Sequence, residues 1–382
     1  YLQGLVNNWL FETETIAKGI SNVIALELIE GAESELDWHS IAVDDQSILI
    51  KAHTKSGIAK GIQTLRQLMP AESFSDHRKE WNIKSVQIED FADFEHRGML
   101  LDCCRHYFEK DVVFKYIDLL ALYKMNVLHW HLTEDQGWRV EIDSYPMLNT
   151  IASSRTELDG SVYSGIYSKE DMKAVVAYAK ERGITVIPEI ELPGHSQAAI
   201  AAYPHLSCTG EQVPVANDWG VFKEIYCAGN DSTFVFLEAV LDEVMEIFPS
   251  TYIHIGGDEA PKTRWEQCEK CQKRIKEEHL HSEHELQSYF INRIEKYLNK
   301  NNRQLIGWDE ILEGGLSPGA TVQSWRGFDG GMAAARSKHN VIMSPTSHCY
   351  FDYDLKSTDM KEVFYFQPIP DDLEPEFHQY IL

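Results

Sequence analysis

No stretch of the 382-residue chain approaches the roughly 20 consecutive apolar residues that a membrane-spanning helix requires. A basic stripe is missing as well. The formal net charge of −25 therefore repels phosphate backbones and anionic lipid surfaces, which excludes nucleic acid as a partner. Without repeats, low-complexity segments or Gly/Ser linkers, domain boundaries have to be read from pattern alone. The chain also lacks an initiator methionine: it opens at Tyr1, and Leu2 to Ile20 read as interior sequence. Absence of a signal peptide is then uninformative, and the natural protein is expected to extend further. Its seven cysteines, odd in number and scattered, give no disulfide framework and leave the redox compartment open. Cys208 and Cys227 bracket a loop-like stretch and either pair in an oxidising compartment or stay two thiols. Cys268 and Cys271 form a lone CxxC followed by His279 and His281, a spacing unlike that of a zinc finger. Two surface-helix thiols are the plainer reading.

What is present reads as an ordinary soluble globular composition, with 43% hydrophobic and 11% aromatic residues and a length beyond one typical domain. Residues 1–92 read as a small α/β domain: Val23 to Leu28 alternates, Ile41 to Val43 and Ile48 to Ala52 form a hairpin around Asp44-Asp45, and a helix runs near Ser56 to Leu68 before Pro70. Residues 93–382 follow another rhythm, with short apolar strands alternating with longer helical segments as βα units require. The expected strands are Gly98 to Cys103, Asn126 to Leu132, Ile184 to Leu192, Thr251 to Gly256, Gln304 to Trp308, Ala320 to Trp325 and Val341 to Pro345. Between them, Val113, Ile117 and Leu120 share a helical face behind the cap candidate Asp111. Phe234, Leu237, Leu241 and Val244 form another such face, and Asp171 to Arg182 and His284 to Leu298 are similar. Charged and aromatic residues cluster at the C-terminal ends of almost all these strands, where a (β/α)8 barrel gathers its active site. The fold class is therefore α/β, a barrel preceded by a small α/β domain.

Within those clusters, YIHIGGDEA (Tyr252 to Ala260) resembles the catalytic motif of glycoside hydrolase family 20, the β-N-acetylhexosaminidases. RGMLLDCCRHYF (Arg97 to Phe108), KMNVLHWHLTEDQGWRVEI (Lys124 to Ile142), IPEIELPGHS (Ile187 to Ser196), GWDEIL (Gly307 to Leu312), VQSWRG (Val322 to Gly327) and SPTSHCYFD (Ser344 to Asp352) resemble the same family in order. Glycosidic cleavage needs a carboxylic acid to protonate the leaving oxygen and a group to stabilise the oxocarbenium-like centre. Here two carboxylates are neighbours. Alternation along a strand keeps Asp258 and Glu259 from straddling the bond as nucleophile and acid, which fits a reaction in which the substrate's 2-acetamido oxygen attacks.

The resemblance implies exo-acting, retaining hydrolysis of terminal non-reducing β-linked GlcNAc or GalNAc from oligosaccharides or glycoconjugates. It implies Glu259 as acid/base, Asp258 as the acetamide orienter, Tyr350 as donor to the acetamide oxygen, and Asp135 with His195 as the pair that tunes the acid. Trp308 and Trp325 become walls of the acetamide pocket, while Arg105 and Asp352 bind hydroxyls of the terminal sugar; for Arg105 a barrel-rim salt bridge is the alternative. No cofactor and no catalytic metal are implied, and a secreted or periplasmic location is. Family relatives continue past the chain's end into an eighth strand carrying a tryptophan and a glutamate, and Tyr380-Ile381-Leu382 reads as its opening. His129 and His131 share one face of a strand and read as packed barrel histidines. With His195 and Asp258 they also suggest a metal-dependent amidohydrolase, and a non-catalytic carbohydrate-binding relic is a third reading.

Overall fold

The computed structural model describes residues 23–31, 35–70, 82–353 and 358–382, so the reading of Leu2 to Ile20 lies outside the described residues. By packing, residues up to Met99 with Asp111–Leu128 and Ala177–Thr185 form one compact unit, and Leu100–Lys110, His129–Val176 and Val186–Leu382 form a second.

In the first unit, strands β1 (Val23–Leu28), β2 (Leu36–Val43), β3 (Ser47–Ala52) and β4 (Val86–Ala92) make a sheet of order β1-β3-β2-β4. The β2–β3 hairpin closes where expected, because the Asp44 carboxylate accepts the backbone amides of Gln46 and Ser47, each at 2.8 Å. The helix Lys55–Leu68 starts at Thr54, whose hydroxyl accepts the Gly57 amide at 3.0 Å. Two glycines on that helix let it lie close on the sheet. A β-carbon at Gly57 would fall 2.6 Å from the Trp38 carbonyl, and one at Gly61 would fall 2.5 Å from Ile50. Ile41, Val43, Ile50 and Leu65 form the buried centre. Strand β4 escaped the sequence reading, since its polar/apolar alternation is broken at a sheet edge, with Asp90 on the inner face and Phe91 on the exposed one.

The seven expected barrel strands are all present: β5 (Gly98–Asp102), β6 (Val127–His131), β7 (Thr185–Glu189), β8 (Tyr252–His254), β9 (Gln304–Trp308), β10 (Thr321–Ser324) and β11 (Val341–Met343). They lie side by side in sequence order in one sheet. From β7 to β11 each neighbour pairs in parallel, as with Tyr252 and Gln304. Ile381 forms a parallel bridge to Val341, and the Leu382 amide donates to the Val341 carbonyl at 2.9 Å, where the opening of an eighth strand was expected.

Helices follow the strands. Asp231–Ile247 buries Phe234, Leu237, Leu241 and Val244, and begins at Asn230, whose side chain accepts the Ser232 amide. Glu283–Lys300 begins at Ser282 in the same manner. Lys110–Leu122 buries Val113, Ile117 and Leu120, but Asp111 sits within its first turn, where a negative charge suits the helix dipole, and is not its cap. Among the described residues no helix is long and apolar enough to cross a membrane.

Candidate active site

The side chains gathered at the strand ends all belong to the second unit. On β6, residues 129 and 131 share one side and Leu128 and Trp130 the other, and all are buried. Both histidines turn to Glu189 at the end of β7: His129 Nε2 lies 2.8 Å and His131 Nδ1 2.7 Å from its Oε2. His254 Nδ1 lies 2.9 Å from Oε1, and the Trp308 indole donates to the same oxygen at 2.8 Å. Burial opposes ionisation of Glu189, but His131, His254 and His129 hold its pKa well below the carboxylate range. Burial likewise opposes charge on His131, yet Glu189 raises its pKa to about 9. On His129 burial wins, lowering it to about 4. Glu189 and His131 thus form a buried carboxylate–imidazolium pair.

The short hairpin after β6 (Thr133–Glu134 paired with Gly137–Trp138) carries Glu134 and Asp135. His195, in the loop after β7, has left-handed backbone with φ 48°. Its Nδ1 lies 3.0 Å from Glu134 and 3.1 Å from Asp135. Its Nε2 lies 3.4 Å from Asp258 Oδ2 and 3.6 Å from Glu259 Oε2. Burial alone would lower the His195 pKa, but Glu134, Asp258 and Asp135 hold it well above the ordinary histidine value. The two acids behind it differ. Burial pushes the Asp135 carboxyl up, whereas His195 and Arg105 overcome burial and hold Glu134 down. The Gln197 amide fixes Asp135 by donating to its Oδ1 at 2.8 Å.

Strand β8 ends at His254, so the strand alternation invoked to keep Asp258 and Glu259 apart does not reach them. Gly256 and Gly257 have φ of 66° and 96°, and Glu259 has φ of 42°. That backbone turns both carboxylates toward one nitrogen of His195. At Gly256 the left-handed φ suits glycine, and a β-carbon there would displace the Glu191 carboxylate. Glu191 is buried, and burial together with Asp258 and Glu189 raises its pKa well above the carboxylate range, so it stands as a neutral acid.

An aromatic group also feels the Asp258 charge. The rings of Trp325 and Tyr350 stack with centroids 6.3 Å apart, and Tyr350 stacks on Tyr353 at 6.1 Å. Trp325 donates its indole N–H to Glu310 at 2.9 Å. Burial raises Glu310 to about 8; the Trp325 bond opposes that rise and the Asp258 charge adds to it. Tyr350 is pushed up by burial and then by Asp258, which keeps its phenol a proton donor. Arg105 meets Asp102 at 3.0 Å and also pairs with Glu134, and Asp352 is exposed beside Tyr350.

The profile of the Glycosyl hydrolase family 20 catalytic domain matches residues 94–374, and that of the family's domain 2 matches residues 1–91. The chain belongs to glycoside hydrolase family 20. It is 48% identical over 360 residues to a beta-hexosaminidase of Porphyromonas gingivalis, covering 91% of this chain and 46% of that protein. With a Vibrio furnissii beta-hexosaminidase it shares 36% identity, covering 82% of this chain and 52% of that one. The chain thus spans about half the length of these curated relatives. Among solved structures, a beta-N-acetylhexosaminidase from Bacteroides fragilis superposes with a TM-score of 0.77 at 34% identity, covering 90% of this chain and 69% of that one. An exo beta-N-acetylglucosaminidase from Vibrio harveyi in complex with N-acetylglucosamine gives 0.83 at 30% identity, covering 94% and 59%.

Within this family 20 chain the fold brings Asp258, Glu259, His195 and Asp135 into direct succession and stacks Tyr350 on Trp325. Trp308 lies deeper, only 5% exposed and bonded to Glu189. Arg105 is held in the salt bridges that had been its alternative reading. Glu134, Glu189, Glu191, His254 and Glu310 join the site in the structure without being singled out by the sequence. A signal for Glu189 and Glu191 was available: two acids with period two in a run as apolar as IPEIEL must face a polar interior. The nitrogens proposed as amidohydrolase ligands on His129, His131 and His195 already face these carboxylates.

Proposed function

We propose that this chain removes terminal, non-reducing β-linked N-acetylhexosamine from oligosaccharides or glycoconjugates, with retention and through an oxazolinium intermediate. The observation that carries the reading is the convergence of Asp258 and Glu259 on a single ring nitrogen of His195, at 3.4 and 3.6 Å. A retaining pair of nucleophile and acid sits about 5 Å apart across the sugar. Neighbouring carboxylates that share one imidazolium approach a sugar from one side, and the nucleophile then has to come from the substrate. In that reaction Glu259, its side chain 37% exposed, gives its proton to the leaving oxygen. The 2-acetamido oxygen closes on the anomeric carbon, Asp258 takes the amide N–H, and the Tyr350 phenol donates to the acetamide oxygen. Glu259 then takes a proton from the water that opens the ring.

His195 is a positioning residue that passes charge between the Glu134–Asp135 pair and the reacting acids. Trp325 and Trp308 wall the acetamide methyl, and Arg105 and Asp352 hold hydroxyls of the terminal sugar. A domain boundary near residue 92 and a secreted or periplasmic location belong to the same proposal. GlcNAc-thiazoline, a stable mimic of the oxazoline, should inhibit strongly and competitively. Covalent trapping of a side chain by a 2-fluoro sugar would overturn substrate assistance.

A further inference from the structure

Four cysteines lie outside the acidic site. Cys208 and Cys227 belong to the long loop between β7 and the helix Asp231–Ile247, while Cys268 precedes the helix Glu269–Glu277 and Cys271 lies in its first turn. The CxxC is no pair of surface thiols: Cys268 and Cys271 are buried, whereas His279 and His281 are exposed. All four sulfurs lie within 4.8 Å of one another. Cys227 is 3.8 Å from Cys268 and 3.7 Å from Cys271, and Cys208 is 3.7 Å from Cys271. None is bonded to another.

These spacings discriminate between explanations. A disulfide holds its sulfurs at about 2.0 Å. Sulfurs bound about 2.3 Å from one tetrahedral ion lie about 3.8 Å from each other. We propose that Cys208, Cys227, Cys268 and Cys271 bind one Zn²⁺ as a closed tetrathiolate site. Four thiol protons leave, four Zn–S bonds form, and no oxidant or reductant takes part. With every position filled by sulfur the ion has none open for water, so its role is structural.

The backbone is built to the same end. Ser207 and Tyr226 form an antiparallel bridge, and the Cys227 amide donates to the Leu206 carbonyl at 2.8 Å, which sets Cys208 beside Cys227. Gly229 lets that loop touch the helix, since a β-carbon there would fall 2.2 Å from the Lys270 carbonyl carbon. The positive N-terminal end of Glu269–Glu277 faces a site of net charge −2. Zinc would therefore tie the loop after β7 to the segment after β8. Tyr226 already links the two: its amide donates to the Pro193 carbonyl at 3.0 Å, two residues before His195, and its own carbonyl accepts the Trp265 indole at 2.9 Å.

The test is metal analysis of the full chain, purified without chelator, by inductively coupled plasma mass spectrometry. About one zinc per chain is expected. Cys227→Ser and Cys271→Ser should fall to background, while Cys349→Ser, outside the cluster, keeps the metal. Should the cluster variants misfold, cobalt decides on the unaltered chain: replacement of zinc by Co²⁺ should produce thiolate charge-transfer and tetrahedral ligand-field absorption. Stripping the metal should lower the melting temperature by about 5 °C or more, with recovery on adding Zn²⁺ but not Mg²⁺. A chain that takes up no zinc, iron in its place, or a non-reducing peptide map with disulfides among the four would each overturn the assignment. None of these readouts depends on the glycosidase reading.

Discussion

His195 and Asp258 face each other across 3.4 Å, and the far nitrogen of the same ring lies 3.0 Å from Glu134. One imidazolium thus separates acids on two loops. Replacing it by asparagine removes the positive charge while keeping some hydrogen bonding, so the carboxyls around it should bind protons more tightly. The acidic limb of the kcat/KM profile is expected to move up by about one pH unit or more in His195→Asn. Because buried Glu134 loses a partner, thermal or denaturant unfolding should show a cost of about 3 kcal/mol. An unmoved limb would leave His195 with a purely architectural role.

For Glu259→Gln, the loss should depend on the leaving group. General acid catalysis supplies roughly 10²–10⁴-fold, and an acidic phenol needs little of it. Hydrolysis of GlcNAc oligosaccharides should therefore drop by about 10³-fold, against about tenfold or less for a dinitrophenyl glycoside. Equal losses on both substrates would remove Glu259 from the acid role.

Much of the fold is legible in the sequence, for identifiable reasons. The barrel strands are short apolar runs such as Val127–His131 whose ends carry polar clusters, and that signal is local. What stayed hidden is non-local. Glu189 acquires its meaning only when His129, His131, His254 and Trp308 converge on it from three other strands. The four cysteines are hidden in the same way, 63 residues separating Cys208 from Cys271. Asp258 and Glu259 were found by motif while their geometry was misjudged, because strand alternation was carried past His254 into a turn set by Gly256 and Gly257.

The histidine cluster predicts an alkaline weakness. His131, at about 6.5 in an unfolded chain, is raised to about 9 by Glu189, so the folded state holds its proton more tightly. Stability from this group is full below about pH 6.5 and is lost as the pH climbs through about 9, a change on the order of 3 kcal/mol. Glu310, raised to about 8, acts in the same direction from about 4.5 upward. Urea midpoints measured at pH 6 and pH 9.5 should show the loss, and His131→Gln should make it smaller, leaving the share that Glu310 carries. An identical fall in that variant would assign the weakness elsewhere.

Gly194→Ala offers the sharpest separation of catalysis from folding. The turn 193–195 runs so near the loop that carries Asp258 and Glu259 that a β-carbon at Gly194 would lie 2.8 Å from the Asp258 carbonyl oxygen and 3.3 Å from the Ala260 α-carbon. Both atoms are backbone, so relief requires the two loops to part by several tenths of an ångström. His195 moves with one loop, and Asp258 and Glu259 with the other. The contacts at 3.4 and 3.6 Å should open, while buried residues of the same unit outside the two loops, such as Ile187 and Ile253, are untouched. A displacement of this size in a positioned site costs on the order of 10²-fold in rate. The expectation is a fall of that order in kcat with KM and melting temperature little changed. A large drop in melting temperature with unaltered kcat in the folded fraction would mean that the close approach serves folding and not the reaction.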